Sequence, residues 1–317
     1  MVCMVGDESR RFGCSRLRAR GPIDADPQPA ADNLGWPRAD CDRVRRRASL
    51  GRLGCLEVRL AQTAAEVRSA QQLRYRVFYQ EGGAIADAAA RIARRDRDAY
   101  DAICDHLLVI DHAAAANGLR RAPAVVGTYR LLRQEIAERS SGFYSAAEFD
   151  VGALIARHRG LRFLELGRSC VLSPYRDRRT LELLWHGIAA YAARNHPDVM
   201  LGCASLEGTD PRRLALPLAF LHHHAAAPQR WRVQALPHRA IDMNMMPKDA
   251  IDPKAALRTL PPLIKGYLRL GAYIGEGAVI DRQFGTIDDL IVLRMAAIKQ
   301  RYYAYFGGKP DQEQEAA

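Results

Sequence analysis

The chain has 317 residues, 48% of them hydrophobic, and a formal net charge of +11. That length allows a sizeable core in one main domain, no apolar run reaches the roughly 20 residues of a membrane-spanning helix, and no signal-type apolar stretch opens the chain, so a cytoplasmic protein is expected. The seven cysteines (Cys3, Cys14, Cys41, Cys55, Cys104, Cys170, Cys203) lack CxxC spacing and histidine neighbours, which argues against a disulfide framework or a zinc site, and the excess positive charge suits anionic partners without any nucleic-acid motif beside it.

Residues 1–54 mix arginine clusters (Arg16, Arg18, Arg20; Arg43, Arg45, Arg46, Arg47) with Pro, Ala and Asp, and are expected to form a poorly ordered basic extension. Cys55 to Leu60 alternates apolar and polar residues as a half-buried strand does. Thr63 then caps a helix in which Val67, Ala70, Leu73, Val77 and Phe78 recur at helical spacing; Thr63 with Glu66 is a capping-box pattern, and Gly82-Gly83 marks the stop. After a charged connection (residues 84–104) the runs His106 to Ile110 and Ala124 to Leu132 read as paired strands. A short helical insert leads to a further strand, Phe163 to Leu172. Leu181, Leu184, Trp185, Ile188, Ala189 and Tyr191 then mark a helix and Val199 to Leu206 a strand, before a tail rich in helix and turn signals and a flexible C-terminus, residues 309–317. The alternation predicts an α/β or α+β domain over residues 55–308.

Four clusters carry chemistry. In Leu164-Glu165-Leu166-Gly167-Arg168, two charges interrupt a buried strand, a costly arrangement unless they are paired or used, and Gly167 suggests a bulge or a close backbone approach. An internal ion pair between Glu165 and Arg168 is the bland account. Asp98 and Asp101, followed by Asp105-His106, can attract cations or form a solvated turn. Arg74 and Phe78 share the first helix, whose arginines could equally be solvated. Ser173 to Thr180, with Arg176, Arg178 and Arg179, feeds a helix N-terminus, where free amides favour phosphate, although a Thr180 cap explains part of it. Cys170 and Cys203 read as small buried hydrophobes. His222-His223-His224 point apart on a helix and are not expected to hold a metal. The glycine-rich stretch Ile264 to Ile280 packs closely or lines a tunnel.

The segments LRYRVFYQE (73–81), DAYDAICDHLLV (98–109), VVGTYRLL (125–132), FLELGRSCVLSPYRDRRTLELLWHGIAAYA (163–192), LGCASLEGTDP (201–211), PPLIKGYLRLGAYIGEGAVIDRQFGTIDDLIVL (261–293) and RYYAYFGG (301–308) together resemble a known family. It is that of the bacterial ornithine-acyl carrier protein N-acyltransferases, hemolysin-like members of the Gcn5-related N-acetyltransferase superfamily. The Arg74, Phe78, Asp98/Asp101, Arg130, Glu165, Arg168 series is also similar to acyl-homoserine-lactone synthases, but the tryptophan they carry after the first helix is replaced by Glu81-Gly82-Gly83, and the later segments favour the ornithine enzymes. The superfamily's Gly-rich cofactor loop is likewise absent: Tyr175-Arg176-Asp177-Arg178-Arg179-Thr180 stands in its place.

The resemblance implies a central mixed, twisted sheet flanked by helices. It also implies transfer of a 3-hydroxyacyl group from the 4'-phosphopantetheine thioester of acyl carrier protein to the α-amine of L-ornithine, giving lyso-ornithine lipid, with no tightly bound cofactor. An activated thioester needs no protein nucleophile, only a base, oxyanion donors and a cradle. Glu165 is the implied base, Arg168 its catalytic partner, and Arg74, Phe78, Asp98, Asp101 and Arg130 the amino-acid site. Ser169, Cys170, Val171, Arg176, Arg178, Arg179 and Thr180 would hold the carrier and its arm, arginines suiting a single phosphodiester and an acidic carrier. A lipid product and a basic chain imply peripheral association with the inner membrane. An acyl-homoserine-lactone synthase, an acyltransferase for another amine, and a catalytically silent carrier- or membrane-binding protein are the alternatives.

Overall fold

The computed structural model describes residues 49–113 and 123–298. Ten strands form one sheet: β1 (Ser49–Leu53), β2 (Leu56–Leu60), β3 (Asp105–Asp111), β4 (Ala124–Arg133), β5 (Phe163–Val171), β6 (Val199–Glu207), β7 (Ala240–Ile241), β8 (Tyr273–Ile274), β9 (Ala278–Asp281) and β10 (Thr286–Arg294). Their order is β1-β2-β3-β4-β5-β6-β10-β9-β7, with β8 also on β10. Every pairing is antiparallel except β5 with β6. The mixed sheet flanked by helices is the expected fold.

Two helices cover the middle of the sheet. On β3, Leu107 and Val109 face one side and Leu108 and Ile110 the other, and all four are buried, which explains why this run is continuously apolar rather than alternating. Helix α1 (Ala64–Tyr75) packs Ala70 against Leu108 and Ile110, and places Leu73 beside Cys170 and Phe284. Helix α5 (Arg178–Asn195) lays Leu183, Leu184, Ile188 and Tyr191 on the opposite face, over Val58, Leu107, Val109, Tyr129 and Leu131. Between β4 and β5 lie the short helices α3 (Gln134–Ala137) and α4 (Val151–Arg157), the expected insert; α2 (Ala88–Ala93) falls in the charged connection after α1. Helices α6 (Ala215–His224), α7 (Pro253–Thr259) and α8 (Pro262–Leu270) follow β6.

The sequence reading needs four corrections here. The sheet starts at Ser49, inside the stretch assigned to a disordered extension: Leu53 pairs with Leu56 across a two-residue hairpin in which Gly54 adopts φ +62°, so residues 49–53 belong to the domain. Residues 1–48 and 299–317, including the RYYAYFGG segment and the C-terminal tail, lie outside the described residues. The first helix does not run evenly to Gly82, because Arg76–Glu81 widens into a π-helical turn; Thr63 caps it, but the Glu66 carboxylate accepts from Gln62 N rather than closing a box on Thr63. Helix α5 is capped by Asp177, whose carboxylate accepts from Thr180 N at 2.8 Å, and not by Thr180. The region after β6 supplies four strands; β10 was hidden because Asp288-Asp289 breaks an apolar run that is nevertheless wholly buried.

Candidate active site

β5 and β6 pair only at Phe163–Val199, Leu164–Met200 and Glu165–Leu201. Beyond Glu165 the two strands are not paired, so a wedge opens in mid-sheet along the remainder of β5. Gly202 stands where they part: a Cβ there would sit 2.1 Å from the Leu166 carbonyl oxygen, so only glycine lets β6 pass. On its other edge β5 carries a bulge. Arg130 faces Gly167 and Thr128 faces Cys170, leaving Arg168 and Ser169 opposite Tyr129 alone. Arg168 takes the left-handed φ of +51°, a strained conformation for a long side chain. The sequence placed a bulge or close approach at Gly167; the bulge is its neighbour, and Gly167 itself faces open space.

The strain is held by a closed ring of charges. Arg74 Nε lies 2.7 Å from Asp96 Oδ2, which is 3.4 Å from Arg168 Nε; Arg168 reaches Asp98 at 3.3 Å, Asp98 reaches Arg130 at 2.6 Å, Arg130 reaches Asp101 at 3.4 Å, and Asp101 returns to Arg74 at 2.8 Å. Three arginines and three aspartates alternate, so each charge has two opposite neighbours and the ring is neutral. Arg74 is completely buried and Arg168 is 5% exposed, positions tolerable for a guanidinium only with such pairing. Burial opposes the charge of Arg168, but Asp96, Tyr144 and Asp98 more than offset it and raise its pKa. Burial likewise works against Asp96 and Asp98, yet the arginines around them hold both below the usual carboxylate range. The rings of Tyr144 and Phe284 sandwich the Arg168 guanidinium at 4.9 and 4.6 Å.

At the wedge lies a cleft with about 320 Å³ of open space, mouth included, bordered by Tyr100, Arg130, Tyr144, Glu165, Gly167, Arg168 and Cys203 among others. Glu165 is not paired with Arg168. Its Oε1 accepts from Ser145 N (2.8 Å) and Ser145 Oγ (2.5 Å), and its Oε2 from Tyr144 N (2.7 Å), which pins the Tyr144–Ala147 turn over the cleft. A carboxylate has about four acceptor positions, so one remains for a substrate proton or a water. Burial pushes the Cys104 thiol beside the cleft up to about 12 and raises that of Cys203 as well, so neither is a ready thiolate nucleophile.

The structure thus gathers Glu165, Arg168 and Arg130 at the cleft and places Arg74, Asp98 and Asp101 in the ring behind them. Phe78 is buried against Phe284, away from the cleft border, where it backs the ring that supports Arg168. The proposed carrier set does not act as one group. The side chains of Ser169, Cys170, Val171 and Thr180 are buried, so they can meet a ligand only through the backbone. Arg176 is tied to the Val171 carbonyl and to Glu81, whereas Arg178, bonded to Glu182, and Arg179 are exposed. With Asp177 already on the α5 amides, the helix N-terminus is a poor phosphate cradle. The sequence reading missed Asp96, Tyr100 and Tyr144: Asp96 sits in a run of arginines that reads as solvated, and no local pattern marks the tyrosines. Cys170 and Cys203 are buried, as expected, and among the described residues His222 to His224 join no potential metal cluster. Of the glycine-rich stretch, Tyr267 borders a small apolar void with Leu166, Leu201 and Gly202 at the point of parting, and its hydroxyl meets that of Tyr129 at 2.6 Å.

Residues 73–186 match the family model of the acetyltransferase (GNAT) domain. The chain is 53% identical over 260 residues to an L-ornithine N(alpha)-acyltransferase of Brucella abortus (strain 2308), covering 82% of this chain and 92% of that protein. Its identity to the protein of the same name from Rhizobium meliloti (strain 1021) is also 53%, over 81% and 86% of the two chains, and to that of Rhodobacter capsulatus 40%, over 79% and 94%. The chain belongs to the L-ornithine N(alpha)-acyltransferase family. It is therefore an acyltransferase of the GNAT fold. Among solved structures it is similar to FeeM, an N-acyl amino acid synthase from uncultured soil microbes (TM-score 0.43, 10% identity, 76% of this chain and 91% of that one). It is also similar to the AHL synthase LasI (TM-score 0.43, 12% identity, 82% and 98%).

Proposed function

We propose that this acyltransferase joins a 3-hydroxyacyl group, delivered as the pantetheine thioester of acyl carrier protein, to the α-amine of L-ornithine, giving lyso-ornithine lipid. The observation that carries the reading is the unpaired edge of β5 at the wedge, with the remaining acceptor position of Glu165 beside it, in a chain so similar to enzymes of that name. An extended pantetheine arm can add to this edge as a short strand. The amine enters as an ammonium and must lose a proton before it attacks; Glu165, directly or through a water, takes it. The amine nitrogen then bonds to the thioester carbon, and the tetrahedral intermediate expels the pantetheine thiolate, which takes up the second proton that the nitrogen loses as the amide forms. Amides of β5 at the wedge stabilise the oxyanion, and Arg168, clamped by its ring of partners, shapes the pocket. The raised thiols of Cys104 and Cys203 favour direct transfer over an acyl-enzyme.

The exposed Arg178 and Arg179 are the carrier-facing side chains in this reading. Peripheral membrane association would use the segment around α2, where Ile85 and Ile92 are among the few exposed large apolar side chains and Arg91, Arg94 and Arg97 are also exposed. No helix among the described residues is long and apolar enough to cross a membrane. Incubation of purified protein with 3-hydroxyacyl carrier protein and a panel of amines, read by product mass, tests the assignment. An acyl-ornithine product is expected. A lactone formed from S-adenosylmethionine would select the homoserine-lactone reading, and no product with any amine would leave a binding protein.

A further inference from the structure

Behind the cleft lies a second group of polar side chains that the acyl-transfer step does not use. Ligand atoms of Glu148, Cys203 and Asp288 all lie within 4.8 Å of one another, and all three residues are buried. Cys203 borders the cleft, and its Sγ donates to Glu148 Oε2 at 3.4 Å. Antiparallel pairing of β10 with β6 sets Ser205 opposite Asp288 and Cys203 opposite Leu290, so Cys203, Ser205 and Asp288 leave the sheet on one face. Ser205 is 6% exposed, and its Oγ lies beside Asp288 without forming a close hydrogen bond. Against the two acids stands Arg239, 3.2 Å from Glu148 and itself partly exposed; among the described residues Asp288 has no ion pair. Burial raises the pKa of both carboxyls; Asp288 adds to the rise at Glu148, while the hydroxyls of Thr286 and Ser205 work against it at Asp288. Among the described residues this buried group therefore sets two carboxyls against one arginine.

We propose that Asp288, Glu148 and Ser205 form a subsite for the second ammonium of a diamino-acid substrate, entered from the cleft past Cys203. This rests on the ornithine reading above and adds the basis of its selectivity. With the α-amine at Glu165 on β5, the side chain of the substrate points toward β6, and its terminal ammonium donates to Asp288 and to Ser205 Oγ while Glu148 stays with Arg239. The entering cation favours ionised Asp288.

The test compares ornithine with norvaline, which has the same carbon chain without the terminal amine. For the wild type, kcat/KM should favour ornithine strongly. Asp288→Asn keeps an oxygen for the Thr286 hydroxyl, which donates to Asp288 at 2.8 Å, and should cut the ornithine-to-norvaline ratio at least tenfold, the loss falling on KM, as expected for one charge-assisted contact. Ser205→Ala should lower the ratio less. Equal kcat/KM for the two amines in the wild type, which requires no variant to fold, or an unchanged ratio in Asp288→Asn, would overturn the inference while leaving ornithine acylation intact. A wild type that does not acylate ornithine would defeat the functional reading instead. Saturable zinc binding that Asp288→Asn abolishes and ornithine does not compete would also overturn it, in favour of a metal site.

Discussion

Asp96→Asn tests whether the charge ring is what holds the β5 bulge. Asp96 Oδ2 is 2.7 Å from Arg74 and 3.4 Å from Arg168, and its Oδ1 accepts from the Tyr79 hydroxyl at 3.2 Å. The amide substitution removes one negative charge between two buried guanidiniums and sets an N–H against existing donors. Breaking a buried pair costs about 3–5 kcal/mol, and a domain of this size loses roughly 2–4 °C of Tm per kcal/mol, so thermal unfolding should fall by about 6–20 °C. Glu135→Gln is the control: its pair with Arg133 is 52% and 37% exposed, and such pairs contribute at most about 1 kcal/mol. The pH dependence gives a second readout. Because Asp96 has a depressed folded pKa, its stabilisation is fully present above the unfolded value of about 4 and is lost as pH falls through the folded value, so the gap between wild type and variant should narrow only in acid. A Tm change no larger than that of Glu135→Gln would refute the idea that the ring holds Arg168 in place.

Glu165→Gln should reduce kcat by roughly 10²–10⁴-fold if the carboxylate is the base, whereas Ser145→Ala, which removes one of its donors, should lower stability more than rate; equal turnover of wild type and Glu165→Gln would remove that role. Gly202→Ala drives a Cβ toward the Leu166 carbonyl and should both destabilise by about 1–3 kcal/mol and impair thioester binding, measured as a raised KM for the acyl donor. Asp289 is fully buried with both carboxyl oxygens unbonded, and burial followed by Asp288 pushes its pKa well up. With the folded value above the unfolded one, its contribution is favourable below the unfolded pKa and is lost as pH rises through the folded value. Asp289→Asn should therefore match wild-type stability in acid and exceed it increasingly toward neutral pH, and a constant difference across that range would contradict the assignment.

What the sequence determined by itself was local. Apolar runs and helical spacing placed β2 to β6 and both covering helices within a few residues, because burial on two faces and amphipathic packing leave direct marks on neighbouring residues. The interrupted strand at Glu165 and Arg168 was visible for the same reason: charge in a buried run stands out. What tertiary structure decided was partnership. Glu165 and Arg168, for which an internal ion pair was the bland account, are bonded elsewhere, one to the amides of residues 144 and 145 and the other to Asp96 and Asp98. Asp96, in a charged run, carries no local mark of burial, yet it is buried between Arg74 and Arg168, and Thr180, a candidate cap, sits in the first turn of a helix that Asp177 caps. The place where β5 leaves β6, which creates the cleft, depends on contacts between segments over 30 residues apart in the chain. Periodicity records which side of an element is buried; which charge meets which across the sheet depends on how distant segments close on one another.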